Sequence, residues 1–307
     1  MHARRQVVAA AALVVCGLVA TFALTECDRG PGAEAVPSPH PEPPAIRPTG
    51  PFRLVAIGDF GTGGADEGAI AAAVDRWTDR FPINALLTTG DNVYESGNPA
   101  DFVAAWTGPY GWVGDEHVPV IAALGNHDIE TEAGAPVMAL LGMPSAWYTR
   151  RIGPAQLIVL DANDPTDPDQ LAFLRQTLAA STARWEIAIF HQPAYSCSHH
   201  GSTPAVDAAW LPLLEGGGVD LVLNGHDHTY ERFGPLHGTT YVVTGGGGAP
   251  LYPDHVCPPG TPAPRVDRVV HHFVTLTLSG STLRVEALDP AFHVVDRFRL
   301  TAAEGSS

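Results

Sequence analysis

An apolar run at residues 85–89 leads straight into Gly90-Asp91-Asn92-Val93-Tyr94, and this junction constrains the fold more than any other stretch. A short apolar run bounded by a turn signal predicts a buried strand. An aspartate at its exit stands on a rigid platform with its carboxylate facing a crevice. Alone, a Gly-Asp pair is a common turn. Four other apolar runs end in the same way: residues 52–57 before Gly58-Asp59-Phe60-Gly61, 118–124 before Gly125-Asn126-His127-Asp128, 185–190 before His191-Gln192-Pro193, and 219–223 before Asn224-Gly225-His226-Asp227-His228. A single aspartate at a strand end is ordinarily a turn former or helix cap, and a single histidine a hydrogen-bonded rim residue. Five such ends on one sheet edge predict a shared site.

The segments between them predict alternating layers. Helical spacing covers residues 65–80, with Ile70, Val74 and Trp77 on one stripe, and also 101–106, 167–180 and 205–214. Residues 147–152 and 156–160 pair around the Gly153-Pro154 turn. From residue 239 the period becomes two, so 239–244, 269–278, 282–288 and 293–300 are expected as antiparallel strands. The expected fold is α/β: one domain at 51–307, with two packed mixed β-sheets flanked by helices in an α/β/β/α sandwich.

Ahead of that domain, Arg4 and Arg5 precede an uncharged apolar stretch at residues 7–24. Residues 1–27 therefore predict either a signal peptide or an N-terminal membrane anchor, with 7–24 as the tether in the second case. Pro-rich residues 28–50 predict an extended linker. Either way the protein is expected outside the cytoplasm, secreted or held at the cell envelope. Cys197 and Cys257 either pair or remain separate thiols.

Composition removes several mechanisms. All 17 basic residues are arginine, against 33 acidic residues. With no lysine, a P-loop nucleotidase and a Schiff-base enzyme are excluded. A formal charge of −16 with no basic run argues against a nucleic-acid partner. The glycines at 245–248 are not followed by Lys-Ser, so they form no phosphate loop, and no Cys-x5-Arg or Gly-x-Ser-x-Gly motif is present.

The strand ends together offer Asp59, Asp91, Tyr94, Asn126, His191, His226 and His228. Carboxylate, phenol and amide oxygens with imidazole nitrogens suit hard and borderline cations. Two cations about 3.5–4 Å apart can clamp a phosphoryl group and generate hydroxide at moderate pH.

The order Gly-Asp-Phe-Gly, Gly-Asp-Asn-Val-Tyr, Gly-Asn-His-Asp, strand-then-His and Gly-His-Asp-His resembles the calcineurin-like metallophosphoesterases, over residues 54–231. Within them it resembles the purple acid phosphatases: the first motif lacks the histidine of Asp-x-His, and Tyr94 follows Asp91 by three residues. Ala188 stands where that family has valine, a packing change. The resemblance implies Asp59, Tyr94 and His228 on a first metal, Fe(III), and Asn126, His191 and His226 on a second, Fe(II), Zn or Mn, with Asp91 bridging. It implies that His127 holds substrate or protonates the leaving oxygen, with Asp128 orienting it, and that His200 is a second catalytic histidine beside the metals without binding them; His199 is a weaker match, and Asp227 a turn or supporting residue.

The implied activity is that of a dinuclear-metal acid phosphatase, in which metal-bound hydroxide attacks the phosphorus of a small phosphomonoester. A trivalent ion predicts an acid optimum. A phosphodiesterase or diphosphatase would share these motifs, and an inactive surface-binding protein on the same scaffold would lose some of them.

Overall fold

Strand β1 (Phe52–Ile57) turns Leu54 and Ala56 to one face and Val55 and Ile57 to the other, and every one of these side chains is buried. A strand apolar on both faces must be covered on both. In the computed structural model, which describes residues 50–253 and 256–302, each face finds a different partner. Leu54 and Ala56 join Leu87, Leu157, Ile187, Leu221 and Leu223 in a core between two sheets. Val55 and Ile57 pack instead with Ile70 and Val74 of α1 (Ala65–Thr78). A third cluster lies on the outer face of the second sheet, where Ile158 and Val222 meet Leu174 of α4 (Pro168–Ala180) and Val206, Trp210 and Leu214 of α5 (Pro204–Gly216). The layers are therefore helix, sheet, sheet, helix, as the sequence predicts.

The first sheet has the order β13 (Val294–Thr301), β12 (Thr282–Leu288), β11 (Phe273–Ser279), β1, β2 (Ala85–Thr88), β3 (Val120–Ala122). The second has the order β10 (Val266–Arg268), β8 (Tyr230–Leu236), β9 (Thr239–Thr244), β7 (Leu221–Asn224), β6 (Trp185–Ile189), β5 (Ala155–Val159), β4 (Tyr148–Ile152). Here β1 pairs in parallel with β2 (Ala85–Thr88), and β2 with β3 (Val120–Ala122). In the second sheet β5 (Ala155–Val159), β6 (Trp185–Ile189), β7 (Leu221–Asn224) and β9 (Thr239–Thr244) are parallel in turn. The five motif-bearing strands thus do not share one sheet edge. Three belong to the first sheet and two to the second, and the carboxyl ends of both converge on one place. Each run is apolar on both faces, so its composition carries no mark of which sheet it joins.

Other departures have local causes. Strand β11 (Phe273–Ser279) begins four residues later than the period suggests, because the His272 amide donates to the Gly246 carbonyl at 2.9 Å and its ring bonds Thr244. Strand β8 (Tyr230–Leu236), buried over much of both faces, and the three-residue β10 (Val266–Arg268) show no alternation and escaped prediction. So did α2 (Gly111–Asp115) and α3 (Ala135–Leu141). The short helix expected at 101–106 is a 3-10 turn at Pro99–Asp101 followed by a wide turn at Val103–Thr107. The expected signal peptide or anchor at 1–27, and all but the last residue of the 28–50 linker, lie outside the described residues. Among the described residues no helix is long and apolar enough to cross a membrane.

A charged contact also ties the sheets together across their core. Asp296 on β13 (Val294–Thr301) accepts the Tyr230 hydroxyl at 2.8 Å and Arg232 Nε at 2.6 Å, both from β8. Breaking a largely buried pair leaves an uncompensated charge. Asp296→Ala is expected to cost about 3 kcal/mol of stability, read as a lower urea midpoint at neutral pH.

Candidate metal centre

Three strand exits leave the usual backbone regions at the residues singled out by sequence. Asp59, Asp91 and His226 have φ of 56°, 51° and 73°. The left-handed region costs a non-glycine residue of order 1–3 kcal/mol and persists only where surroundings enforce it. Here they do. The Asp59 amide donates to the Gly90 carbonyl at 3.1 Å, the His226 amide to Asp59 Oδ1 at 2.9 Å, and the His127 amide to Asp91 Oδ1 at 3.0 Å. Two of these locks are made by carboxylates that also face the centre, and the third by a backbone carbonyl. Gly125 is part of the lock: a Cβ there would fall on the Asp91 carboxylate.

The expected ligands meet in one small volume. Tyr94 Oη lies 2.9 Å from Asp91 Oδ2 and 3.1 Å from His228 Nε2. His228 Nε2 is 3.5 Å from Asp59 Oδ1, and His191 Nε2 is 3.4 Å from Asp91 Oδ2. Asn126 Oδ1 and His226 Nδ1 stand 3.1 and 3.3 Å from His191 Nε2. One ligand atom each from Asp59, Asp91 and His228 all fall within 4.8 Å of one another.

Backbone carbonyls decide which ring nitrogens face inward. His191 Nδ1 donates to the Thr89 carbonyl at 2.9 Å and His228 Nδ1 to the Pro250 carbonyl at 2.7 Å. Both Nε2 atoms are thereby aimed at the centre, the arrangement that orients metal-binding histidines. Burial, then the neighbouring His191 and His200 rings, push His226 down to about 2, so it is neutral with a lone pair to give. Burial works to raise Asp91, but the His191 charge and hydrogen bond outweigh it and hold the carboxyl below its usual range. Burial works against protonating His191, yet Asp91 and Asp59 push it up to about 10. Burial raises Asp59. The cluster thus demands positive charge strongly enough to draw a proton onto a fully buried imidazole. Such a demand, met by oxygen and nitrogen donors with no thiolate, fits a pair of iron, zinc or manganese ions.

The residues expected to act on substrate divide. His127 Nε2 is 4.0 Å from Asp91 Oδ2, its ring 4.6 Å from that of Tyr94, and its Nδ1 is engaged by the Glu95 carbonyl at 2.5 Å. Asp128 does not orient it. The buried Asp128 carboxylate accepts the Asn92 amide at 2.9 Å, the Asn92 side chain at 2.7 Å, the Val93 amide at 3.1 Å and the Gly125 amide at 2.8 Å. It pins the turn after β2 to the turn after β3, with no lone pair spared for catalysis; burial and Asp91 push it up to about 7. The His200 ring stacks on His226 at 4.2 Å, and its amide donates to Asp227 Oδ1 at 2.8 Å. Asp227 is therefore a support for the His200 loop. It shares that work with Glu231, whose buried carboxyl group accepts the Cys197 amide at 3.0 Å and meets the Ser196 hydroxyl at 2.7 Å.

One feature beside the site escaped sequence reading, and another was left open by it. Tyr252 lies flat on His228, with ring centroids 4.1 Å apart and planes 10° from parallel. It sits in an irregular Pro-rich loop where no periodicity points to it. Of the two readings open for Cys197 and Cys257, the structure has the disulfide.

A model of the calcineurin-like phosphoesterase family matches residues 52–230. Purple acid phosphatase 4 of Arabidopsis thaliana is 29% identical over 243 residues, covering 67% of this chain and 70% of its own. Human tartrate-resistant acid phosphatase type 5 is 26% identical, covering 64% and 73%. Among solved structures, the purple acid phosphatase PPD1 of yellow lupin superposes with a TM-score of 0.71 at 21% identity, over 83% of this chain and 55% of that one. GAP50, described as the anchor in the inner membrane complex of Plasmodium, superposes with a TM-score of 0.72 at 17% identity, over 83% and 90%. At those identities the two structures show likeness of fold.

Crowding at Gly125 makes the lock testable. Gly125→Ala is expected to displace the Asp91 carboxylate and weaken metal affinity roughly 10–100-fold, measured by metal content after dialysis against a competing chelator. Gly111→Ala, where an added methyl meets nothing within 4 Å, should leave metal content unchanged.

Proposed function

This chain belongs to the calcineurin-like phosphoesterase family, of the purple acid phosphatase type, and on that footing we propose that it is a dinuclear-metal acid phosphatase hydrolysing small phosphomonoesters. The observation that carries the proposal is the convergence of ligand side chains from five strand exits, with two imidazoles pre-aimed by backbone carbonyls. Asp59, Tyr94 and His228 would hold the first cation, Fe(III), and Asn126, His191 and His226 the second, Fe(II), Zn or Mn, with Asp91 between them. Bound there, the pair supplies positive charge against the phosphate and the acidity that readies water for attack on phosphorus at low pH.

The rest falls to side chains that hold no metal in this scheme. His127, partly exposed beside Asp91, directs Nε2 toward the centre because Nδ1 is tied to the Glu95 carbonyl. Protonated, that nitrogen can give its proton to the leaving alkoxide or phenoxide, a transfer worth typically 10²–10⁴-fold in rate. His200, stacked on His226, would hydrogen-bond a phosphate oxygen.

Fold alone would not carry this reading, since GAP50 shares it. The complete donor set is what favours an enzyme over a surface-binding protein on the same scaffold. The disulfide suits an oxidising compartment, and supports an exported protein, secreted or held at the envelope.

Protein loaded with iron and zinc should hydrolyse p-nitrophenyl phosphate faster than bis(p-nitrophenyl) phosphate, with a pH–rate maximum below 7. A faster diester reaction would favour a phosphodiesterase, and loaded protein silent toward both would reject catalysis. Chelation should abolish turnover and reloading restore it. Ferric protein should show a visible tyrosinate charge-transfer band that Tyr94→Phe loses. His127→Ala should retain that band while kcat falls roughly 10²–10⁴-fold.

A further inference from the structure

The loop after β6 that carries His200 is held by a buried polar chain whose hydrogens can be counted. Ser196, Asp227 and Glu231 are all wholly buried. Ser196 Oγ lies 2.5 Å from Asp227 Oδ2 and 2.7 Å from Glu231 Oε2, and it also accepts the Ser198 amide at 3.0 Å. A hydroxyl has one hydrogen to donate, and an ionised carboxylate has none. Ser196 therefore satisfies one carboxylate only. Were both ionised, the second would press an oxygen lone pair against another at hydrogen-bond distance, in an interior where such a contact is costly. The count closes when one of the two is a carboxylic acid that donates to Ser196 Oγ, while the Ser196 hydroxyl donates onward.

The surroundings decide which. Asp227 has a second donor in the His200 amide, which reaches Oδ1 at 2.8 Å. Glu231 has only one amide besides Ser196, that of Cys197, spread over both oxygens at 3.0 and 3.2 Å. On β8, Glu231 is flanked by Val243 of β9 and Asp267 of β10, its partners in register. Its chain neighbours Tyr230 and Arg232 turn the other way, to Asp296. From the loop it meets Ser196 and Cys197, whose sulfur is in the disulfide. The charges that bear on it are thus those of Asp267 and Asp227. Burial, aided by these two and opposed by the Ser196 and Cys197 bonds, pushes the Glu231 carboxyl up to about 7.

The chain runs from Glu231 through Ser196 to Asp227, and Asp227 holds the His200 amide. With Glu231 ionised, the 2.5 and 2.7 Å contacts cannot both persist. The strain falls on the backbone that sets the His200 ring 4.2 Å from His226.

We propose that Glu231 is a positioning residue for His200: it keeps its proton in the working enzyme, acts through Ser196 and Asp227, and releases the His200 loop when that proton is lost. The proposal rests on the phosphatase reading above through the part of His200 in binding phosphate, and adds to it a control of that part by pH.

The test is Glu231→Gln in the metal-loaded, full-length enzyme, because a glutamine amide donates to Ser196 as the acid does and does not ionise. With p-nitrophenyl phosphate, native enzyme and variant should share one KM well below pH 7. Above it the native KM should climb relative to that of the variant, by roughly tenfold one pH unit beyond the transition, with kcat changing less. Ionisation of the substrate is common to both proteins and drops out of the ratio. Glu186 is the control. Its carboxyl is also pushed up to about 7, chiefly by burial, but it stands at the end of β6 away from the cluster, so Glu186→Gln should keep the native profile.

A second readout is free of catalysis. Glu231 titrates at its ordinary 4.5 when unfolded and at about 7 when folded. Its contribution to stability is therefore full below about 4.5 and lost as pH rises through about 7. Across that window the native urea midpoint should fall relative to that of Glu231→Gln. A midpoint difference that does not change with pH overturns the held proton. A falling difference with a constant KM ratio overturns the positioning role. If Glu231→Gln does not fold, Ser196→Ala decides that role: it cuts the chain, so its KM should be raised already below pH 7, and a KM equal to the native one there overturns the relay. Hydrolysis by neither enzyme overturns the phosphatase reading and the positioning role with it, while the urea midpoints still decide the proton.

Discussion

Two buried carboxylates facing each other across a few ångströms are the constraint to which the rest of this protein answers. Asp59 and Asp91 are almost wholly buried, with His228 within 4.8 Å of both. Ionised carboxylates in a low-dielectric interior repel and lose their hydration, so they stay charged only if positive charge and hydrogen-bond donors replace the water. The chain supplies part of this from its backbone. The amides of His226 and His127 each point at one carboxylate, and His191 Nε2 stands 3.4 Å from Asp91 Oδ2 and 4.0 Å from Asp59 Oδ1. Such an arrangement is poor economy for a structural core, where apolar side chains would serve better. It makes sense as a socket for cations.

Holding that socket open explains the architecture around it. A single sheet presents its strand ends along a line, whereas two sheets packed face to face bring strand ends together from both sides. Here β1, β2 and β3 contribute from one sheet and β6 and β7 from the other, and the apolar core between them sets the separation. The left-handed turns at Asp59, Asp91 and His226 then swing the carboxylates and an imidazole inward. Their cost is met by the bonds each turn makes to its neighbour.

Much of this was legible in the sequence for a physical reason. A strand exit couples a composition signal, the apolar run, to a chemical one, the residue immediately following. Asp59, Asp91, Asn126, His191 and His226 could be placed because each stands within a few residues of such a run. Tyr94 and His228 follow by short, fixed spacing. What failed was whatever depended on partners distant in sequence. Asp128 stands next to His127, and adjacency suggested a role in orienting it; its carboxylate belongs to Asn92 and Val93, 36 and 35 residues away. The sheet to which each strand belongs, the strands β8 and β10, and the pairing of Cys197 with Cys257 are of the same kind, since pairing across the fold leaves no local periodicity. Tyr252 was invisible because a residue in an irregular loop is placed by its contacts alone.

That division between legible and hidden follows a division of labour in the molecule. Metal ligands must be held to within a fraction of an ångström, so they sit on strand ends, where hydrogen-bonded ladders fix the backbone and composition gives them away. Loop segments beside such a cluster ordinarily tolerate looser placement. In this chain those loops are not left loose: the segment after β6 is bonded through Ser196, Cys197 and His200 to Glu231 and Asp227, and the segment after β9 is cross-linked to it. Asp227, bonded to the His200 amide, stands between the proposed ligands His226 and His228, so the His200 loop and the strand-end cluster share one turn. A change in that turn would be felt on both sides.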